Sequence, residues 1–214
     1  MATDTDDADV DPAELRRQLT QIEEAVGLKE EYGTVVEMWL FLGVLVAVAS
    51  ALSQYVYTEG LGGQLYAVIW LGVFVAGFSV FSYWTGGGNP YRLHPNRPNV
   101  HVVIGVTYLA AFPLLVIVGE FTRDLSAQEA ALLPLAVISV LLGASYVVSG
   151  HVLRAHHIRD RDRYPFFVGG VGLAALGVAL ATVDALAEWP YVAFGGGYLV
   201  YAVATYVYLS GSPE

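Results

Sequence analysis

The side chains best suited to chemistry are five histidines, one serine and a run of tyrosines. The histidines are His94, His101, His151, His156 and His157. His101 opens one long apolar run and His151 closes the next, so antiparallel packing of the two runs would bring both imidazoles to a similar depth. Two facing imidazoles can ligate haem iron or a divalent metal. His-x4-His-His is not a zinc spacing, however, and no carboxylate is placed to complete a shell. An imidazole also sits well at a membrane interface, with an apolar body and a polar tip. The expectation is no cofactor, with haem or a divalent metal on His101 and His151 as the alternative.

Ser145 lies in "GAS", Gly143–Ser145. This resembles the Gly-x-Ser of rhomboid proteases, which pair a serine on their fourth helix with a histidine on their sixth. The last apolar run here holds no histidine, and Tyr146 stands where rhomboids have glycine. A serine without a base is not activated, so Ser145 is expected to bond a helix carbonyl. With no cysteine in the chain, thiolate catalysis is excluded as well, and the reading leans towards a protein that is not an enzyme.

The tyrosines form a pattern. Tyr191, Phe194, Tyr198, Tyr201, Thr205 and Tyr208 recur at steps of 3, 4, 3, 4 and 3, one continuous face of a helix. A tyrosine hydroxyl in lipid needs a partner. The stripe is therefore a packing seam or the wall of a groove for an apolar ligand, with Tyr191, Tyr198, Tyr201, Thr205 and Tyr208 as the candidate ligand-binding residues. The seam is favoured, because aromatic stripes at helical spacing usually pack.

The elements that position these residues are long and oily. The 214-residue chain is 56% hydrophobic and 14% charged, and between Met38 and Trp84 its only charge is Glu59. Runs of about 20 apolar residues match the hydrocarbon thickness of a bilayer. An all-α, polytopic membrane protein follows, with six transmembrane helices near Val35–Tyr57, Leu65–Trp84, His101–Gly119, Glu129–Gly150, Phe166–Leu186 and Pro190–Leu209. Residues 34–210 form this domain. Glycine- and proline-rich turns separate the spans, and "SAQE" at Ser126–Glu129 reads as a capping box. Pro190 fits the first turn of the last helix, where its missing N–H costs nothing.

Short outer connections and longer inner ones pair the spans as three hairpins. Gly43-Val44, Gly105-Val106 and Gly170-Val171 mark the first helix of each pair. Ser82-Tyr83, Ser145-Tyr146 and Thr205-Tyr206 mark the second. Their regular period raises a threefold repeat about an axis along the membrane normal. Small-residue stripes at Gly43/Ala47/Ala51, Gly72/Ala76, Gly170/Ala174 and Gly177/Ala181 are expected helix contacts.

Nine of the ten basic residues flank one side of the spans, with only Arg123 on the other. Four of them, with three histidines, lie in the stretch Gly150–Pro165. This asymmetry places both termini in the cytoplasm and the protein in the plasma membrane. Trp39, Trp84 and Tyr164 are expected at the inner interface, Tyr57 and Trp189 at the outer one. Glu37, Glu59, Glu120 and Asp184 all sit near span ends, which disfavours a charge-driven pump.

Residues 1–33 hold half of the chain's acidic residues, and eleven of the twenty lie between Asp4 and Glu37. Acid excess with Lys29 as the single lysine suggests a halophilic composition, and no basic face suits nucleic acid. Asp11-Pro12 and Glu14 signal a helix start. Leu15, Leu19, Ile22 and Val26 then follow at steps of 4, 3 and 4, before Gly27 and Gly33 are expected to interrupt. This short amphipathic helix is a candidate partner-binding element, for another protein or for self-association.

The functional expectation is a non-enzymatic accessory or anchoring subunit whose partners are the lipid bilayer and a protein. The alternatives are a permease or channel for a neutral small solute or lipid-like ligand, and a haem- or metal-binding membrane protein.

Overall fold

The computed structural model describes residues 15, 17–19, 22, 28–84, 100–121, 124–155 and 160–211. Its elements are α1 (Leu28–Thr58), α2 (Gln64–Trp84), α3 (Val100–Phe121), α4 (Ala127–Ala155), α5 (Asp160–Thr182), the single turn α6 (Asp184–Ala187) and α7 (Pro190–Ser210). Among the described residues there is no strand. Among the described residues five helices are long and apolar enough to cross a bilayer: α1 from Val36, α2, α4 from Gln128, α5 and α7. The chain is thus an all-helical, membrane-type protein. The remaining expected span falls on α3, a helix of 22 residues.

Several boundaries move, each for a local reason. α1 begins at Leu28 and passes unbroken through Gly33. An interior glycine costs about 1 kcal/mol against alanine, which a 31-residue helix absorbs. The basic stretch is mostly two helix ends rather than a loop. α4 continues through Gly150 to Ala155 and α5 starts at Asp160; residues 156–159 lie outside the described residues. Arg154 stands in the last turn of α4 and Asp160 and Asp162 in the first turn of α5, each charge matched to its helix-end dipole. At the far end α5 stops at Thr182, because Val183 turns extended (φ −111°, ψ 105°), and α6 follows as a separate turn. The capping box at Ser126 forms: the Ser126 backbone N–H donates to Glu129 Oε2 at 3.0 Å and the Glu129 N–H to Ser126 Oγ at 3.3 Å.

The tightest packing does not follow the expected hairpins. α4 lies closest against α5, and α1 against α7; α3 leans on α4, α2 on α1, and α5 touches α7. Small residues explain the choice. A Cβ at Gly143 would stand 2.5 Å from Gly170 O and 2.7 Å from Ala174 N, and one at Gly177 would stand 2.7 Å from Ala136 O. Backbone meets backbone there, the approach that small residues permit in membranes. Gly43 faces Ala202, and Gly195 faces Ser50 and Ala47, closing α1 on α7 in the same way.

Other expected contacts are absent. Gly72 faces open space, and Ala51, Ala76 and Ala181 are exposed. The contact on α2 comes instead from Gly77, which meets Leu45. The two sets of repeat marks therefore occupy unlike surroundings. Gly43 and Gly170 are packed and Gly105 is not; Tyr146 is buried and Tyr83 is exposed.

The result is a four-helix core of α1, α4, α5 and α7 with two outriggers. In the apolar window of α2 only 6% is buried, against 39% for α1 and for α4.

Candidate functional site

The face of α7 that carries the aromatic stripe turns inward. Tyr191, Phe194, Tyr198 and Thr205 are buried, Tyr201 is partly buried, and Tyr208, at the end of the helix, is 45% exposed. Five members thus form a seam and Tyr208 stands at its rim. Because the stripe repeats at 3 and 4, each ring meets a different level of α1, α4 and α5.

At the level of Tyr191 the seam is bound by an amide. Gln54 of α1 sends Oε1 to the backbone N–H groups of Tyr191 and Val192, at 3.1 and 3.4 Å. Its Nε2 donates to Glu188 O at 3.1 Å and to Thr58 Oγ1 at 3.3 Å. A helix start leaves its first N–H groups without intrahelical partners. Trp189, the N-cap of α7, supplies no side-chain bond, so α1 caps α7 from across the bundle. Tyr57 OH donates to Ala187 O at 2.7 Å. The Tyr66 ring stacks on Tyr191 with centroids 5.2 Å apart, and Tyr191 OH reaches Ala131 O at 3.5 Å. One step along, Trp70 Nε1 donates to Ser53 Oγ at 3.1 Å, and its ring lies beside Phe194.

In the middle, the Tyr198 and Tyr146 hydroxyls meet at 2.5 Å, fully inside the protein. Towards the other end Tyr201 OH donates to Pro165 O at 2.8 Å, its ring lying over Gly169, where a side chain would collide with it. The edges of Tyr146, Phe166 and Tyr201 surround Trp39, at centroid distances of 5.9, 5.1 and 5.6 Å. Such edge-to-face pairs set positive ring rims against negative faces.

At the rim, Arg161 donates to Leu209 O and, at 3.2 Å, to Tyr208 O, with its guanidinium 6.0 Å from the Tyr208 ring centroid. A cation on the last carbonyls of α7 is the favourable helix-end arrangement. Arg163 pairs with Asp160.

Two interface expectations are corrected here. Trp39 and Tyr57 point into the protein and are buried, because each finds a partner there, a ring cluster for one and a carbonyl for the other. Trp84, Tyr164 and Trp189 are exposed.

Ser145 is buried and donates to Leu142 O at 2.7 Å, the use of a helix serine that satisfies it locally. Ser139 does the same with Leu135 O. His151 is exposed, with its ring edge against Phe167 at 5.0 Å. The side chain of His101, and His94, His156 and His157 altogether, lie outside the described residues. Among the described residues no three His, Cys, Asp or Glu side chains gather as a metal site.

The N-terminal candidates have the opposite setting. Leu15, Arg17, Gln18, Leu19 and Ile22 are helical, and Leu15, Leu19 and Ile22 are 47, 55 and 57% exposed. Val26 lies outside the described residues.

Sequence reasoning passed over Gln54, Trp70 and Ser53. The signal was present: Gln54 is the only Asn or Gln between Met38 and Gly63, and an amide in a span needs partners. Comparison with protein-family models, with curated proteins and with solved structures gives no match for this chain.

Proposed function

We propose that this chain is a six-span, non-enzymatic anchoring or accessory subunit of the plasma membrane, with its N-terminal helix in the cytoplasm as the docking point for a protein. The observation that carries this reading is the contrast between its two stripes. Tyr191, Tyr198 and Tyr201, which could line a ligand path, direct their hydroxyls to the bundle's own groups, whereas Leu15, Leu19 and Ile22 are about half exposed.

The sixth span is α3. At 1.5 Å per residue, its 22 residues reach about 33 Å, enough for a hydrocarbon core of about 30 Å. Six spans return the C-terminus to the side of the N-terminus, and the arginine asymmetry makes that side cytoplasmic. The chain then enters the bilayer as three in–out pairs, and the inserted helices repack across those pairs.

Native mass spectrometry on protein extracted gently at high salt tests the reading. The expected mass contains at least one further protein chain and no small molecule. A single bare copy that retains a haem, a metal or a lipid-like ligand overturns it.

A further inference from the structure

We infer that the exposed face of the α4–α5 pair binds one anionic phospholipid, with its phosphate on Arg154 and its acyl chain along the valines beneath.

The two helices end among headgroups. α4 has 28 residues from Gln128 to Ala155, and α5 has 23. At 1.5 Å per residue they reach about 42 and 34 Å, beyond a hydrocarbon core of about 30 Å. One contact fixes which sides meet there. The His151 and Phe167 rings lie edge to face with centroids 5.0 Å apart, and a Cβ at Gly150 would stand 2.9 Å from the same Phe167 ring.

Residues three or four apart share a helix face. Arg154 therefore stands one turn beyond His151 on α4, and Tyr164 one turn before Phe167 on α5. His151, Arg154 and Tyr164 are all exposed. One turn deeper, Val148 of α4 and Val168 and Val171 of α5 are exposed as well. A cation and two polar rings thus stand at the end of an open apolar flank, the order of a lipid's headgroup and chain. Free phosphate would leave that flank unused.

Charge selects the headgroup. Gly150–Pro165 holds four arginines against two aspartates, on a chain of net charge −10. Asp160 is paired with Arg163. Asp162 lies four residues before Phe166, which packs inward on Trp39, so it faces away from the site. Arg161 is engaged by the last carbonyls of α7. Arg154 has no carboxylate partner among the described residues. A guanidinium holds phosphate oxygens through paired N–H donors, and a tyrosine ring suits the headgroup level. Basic sites between spans are where anionic headgroups bind.

The site is open at the edge of the bundle, so its lipid exchanges with the bilayer and is lost on extraction; the test belongs in vesicles. The chain has no cysteine. In the full-length protein, Val168→Cys carrying a fluorophore reports lipid on this face. Val75→Cys on α2, also exposed, reports the surrounding bilayer. In phosphatidylcholine vesicles, phosphatidylglycerol with a nitroxide on its acyl chain should quench Val168→Cys at about fivefold lower mole fraction than phosphatidylcholine with the same label, the factor one arginine near a charged surface supplies. At Val75→Cys the two lipids should quench alike. Arg154→Gln should remove the preference and Arg154→Lys keep part of it, with quenching at Val75→Cys unchanged in both. Excess inorganic phosphate should leave the preference in place.

Equal quenching by the two lipids at Val168→Cys, the result if this basic end is reserved for an acidic protein segment, overturns the inference. So does a preference that survives Arg154→Gln, or one of the same size at Val75→Cys. A preference abolished by inorganic phosphate overturns it too, and assigns the site to free phosphate.

Discussion

Two stripes in this molecule share the same 3–4 spacing and meet opposite fates. On α7, Tyr191, Phe194, Tyr198, Tyr201 and Thr205 are enclosed by α1, α4 and α5. Near the N-terminus, Leu15, Leu19 and Ile22 stand uncovered. Helical spacing makes a seam; it does not say what fills the other side. That is decided by what the neighbours can offer. α7 has Gly169 and Pro165 on α5 for Tyr201, Tyr146 on α4 for Tyr198, and Gln54 on α1 for its first turn. The described members of the N-terminal stripe are instead about half exposed.

The comparison can be broken most forcefully at Tyr198. Tyr198→Ala opens a cavity where α7 meets α4 and is expected to cost about 3–5 kcal/mol, the range for large aromatic truncations, read as a loss of folded fraction in detergent unfolding at fixed salt. A loss below about 1 kcal/mol would mean that the stripe is not a packing seam, since that is the typical size of an ordinary substitution.

Next comes a matched pair of glycines. At Gly170 a methyl group would stand 2.7 Å from Gly143 O and 3.0 Å from Val147 N. Backbone cannot yield as a side chain can, so Gly170→Ala should cost about 1–3 kcal/mol by overpacking. At Gly72 nothing lies within reach, and Gly72→Ala should stabilise by up to about 1 kcal/mol through helix propensity. The same substitution thus carries opposite signs in core and outrigger. Equal effects would erase the distinction between α2 and the four-helix core.

Gln54→Leu sharpens the comparison at the first turn of α7. It leaves the N–H groups of Tyr191 and Val192 without their cap. Buried, unpaired groups cost about 1–3 kcal/mol, while hydrogen bonds in membranes average about 0.6 kcal/mol. The expected loss is about 1 kcal/mol, seen as faster hydrogen exchange at the start of α7 while α4 and α5 are unaffected. Uniform acceleration through the bundle would contradict a local cap.

Five of the six expected spans, the capping box, the inward use of Ser145 and the 3–4 stripe of α7 were legible from residue type and spacing. Helix partners were not. The expected hairpins paired α3 with α4, but α4 packs most closely on α5, the next helix along, because Gly143, Gly170 and Gly177 let those two backbones touch. α1 chooses α7 through Gly43, Gly195 and Gln54. Both pairings depend on which faces meet in three dimensions, and one sequence read along its length does not order them. Trp39 and Tyr57 teach the same lesson. Amphipathic rings near span ends suit a lipid interface, but each found a protein partner instead.

The central claim is that the stripe of α7 is closed and dry while the N-terminal helix is open to the aqueous side. Single cysteines test it most directly. Thr205→Cys sits on the stripe and Ser145→Cys beside Tyr146, both small changes at buried positions; Arg17→Cys lies on the exposed N-terminal helix. Labelling with a water-soluble maleimide in membrane vesicles open to both faces should modify Arg17→Cys readily and leave Thr205→Cys and Ser145→Cys unmodified until the protein is denatured. Labelling of Thr205→Cys or Ser145→Cys at a rate comparable to Arg17→Cys would show a water-filled path along α7, and the reading of this protein as a closed anchor would be wrong.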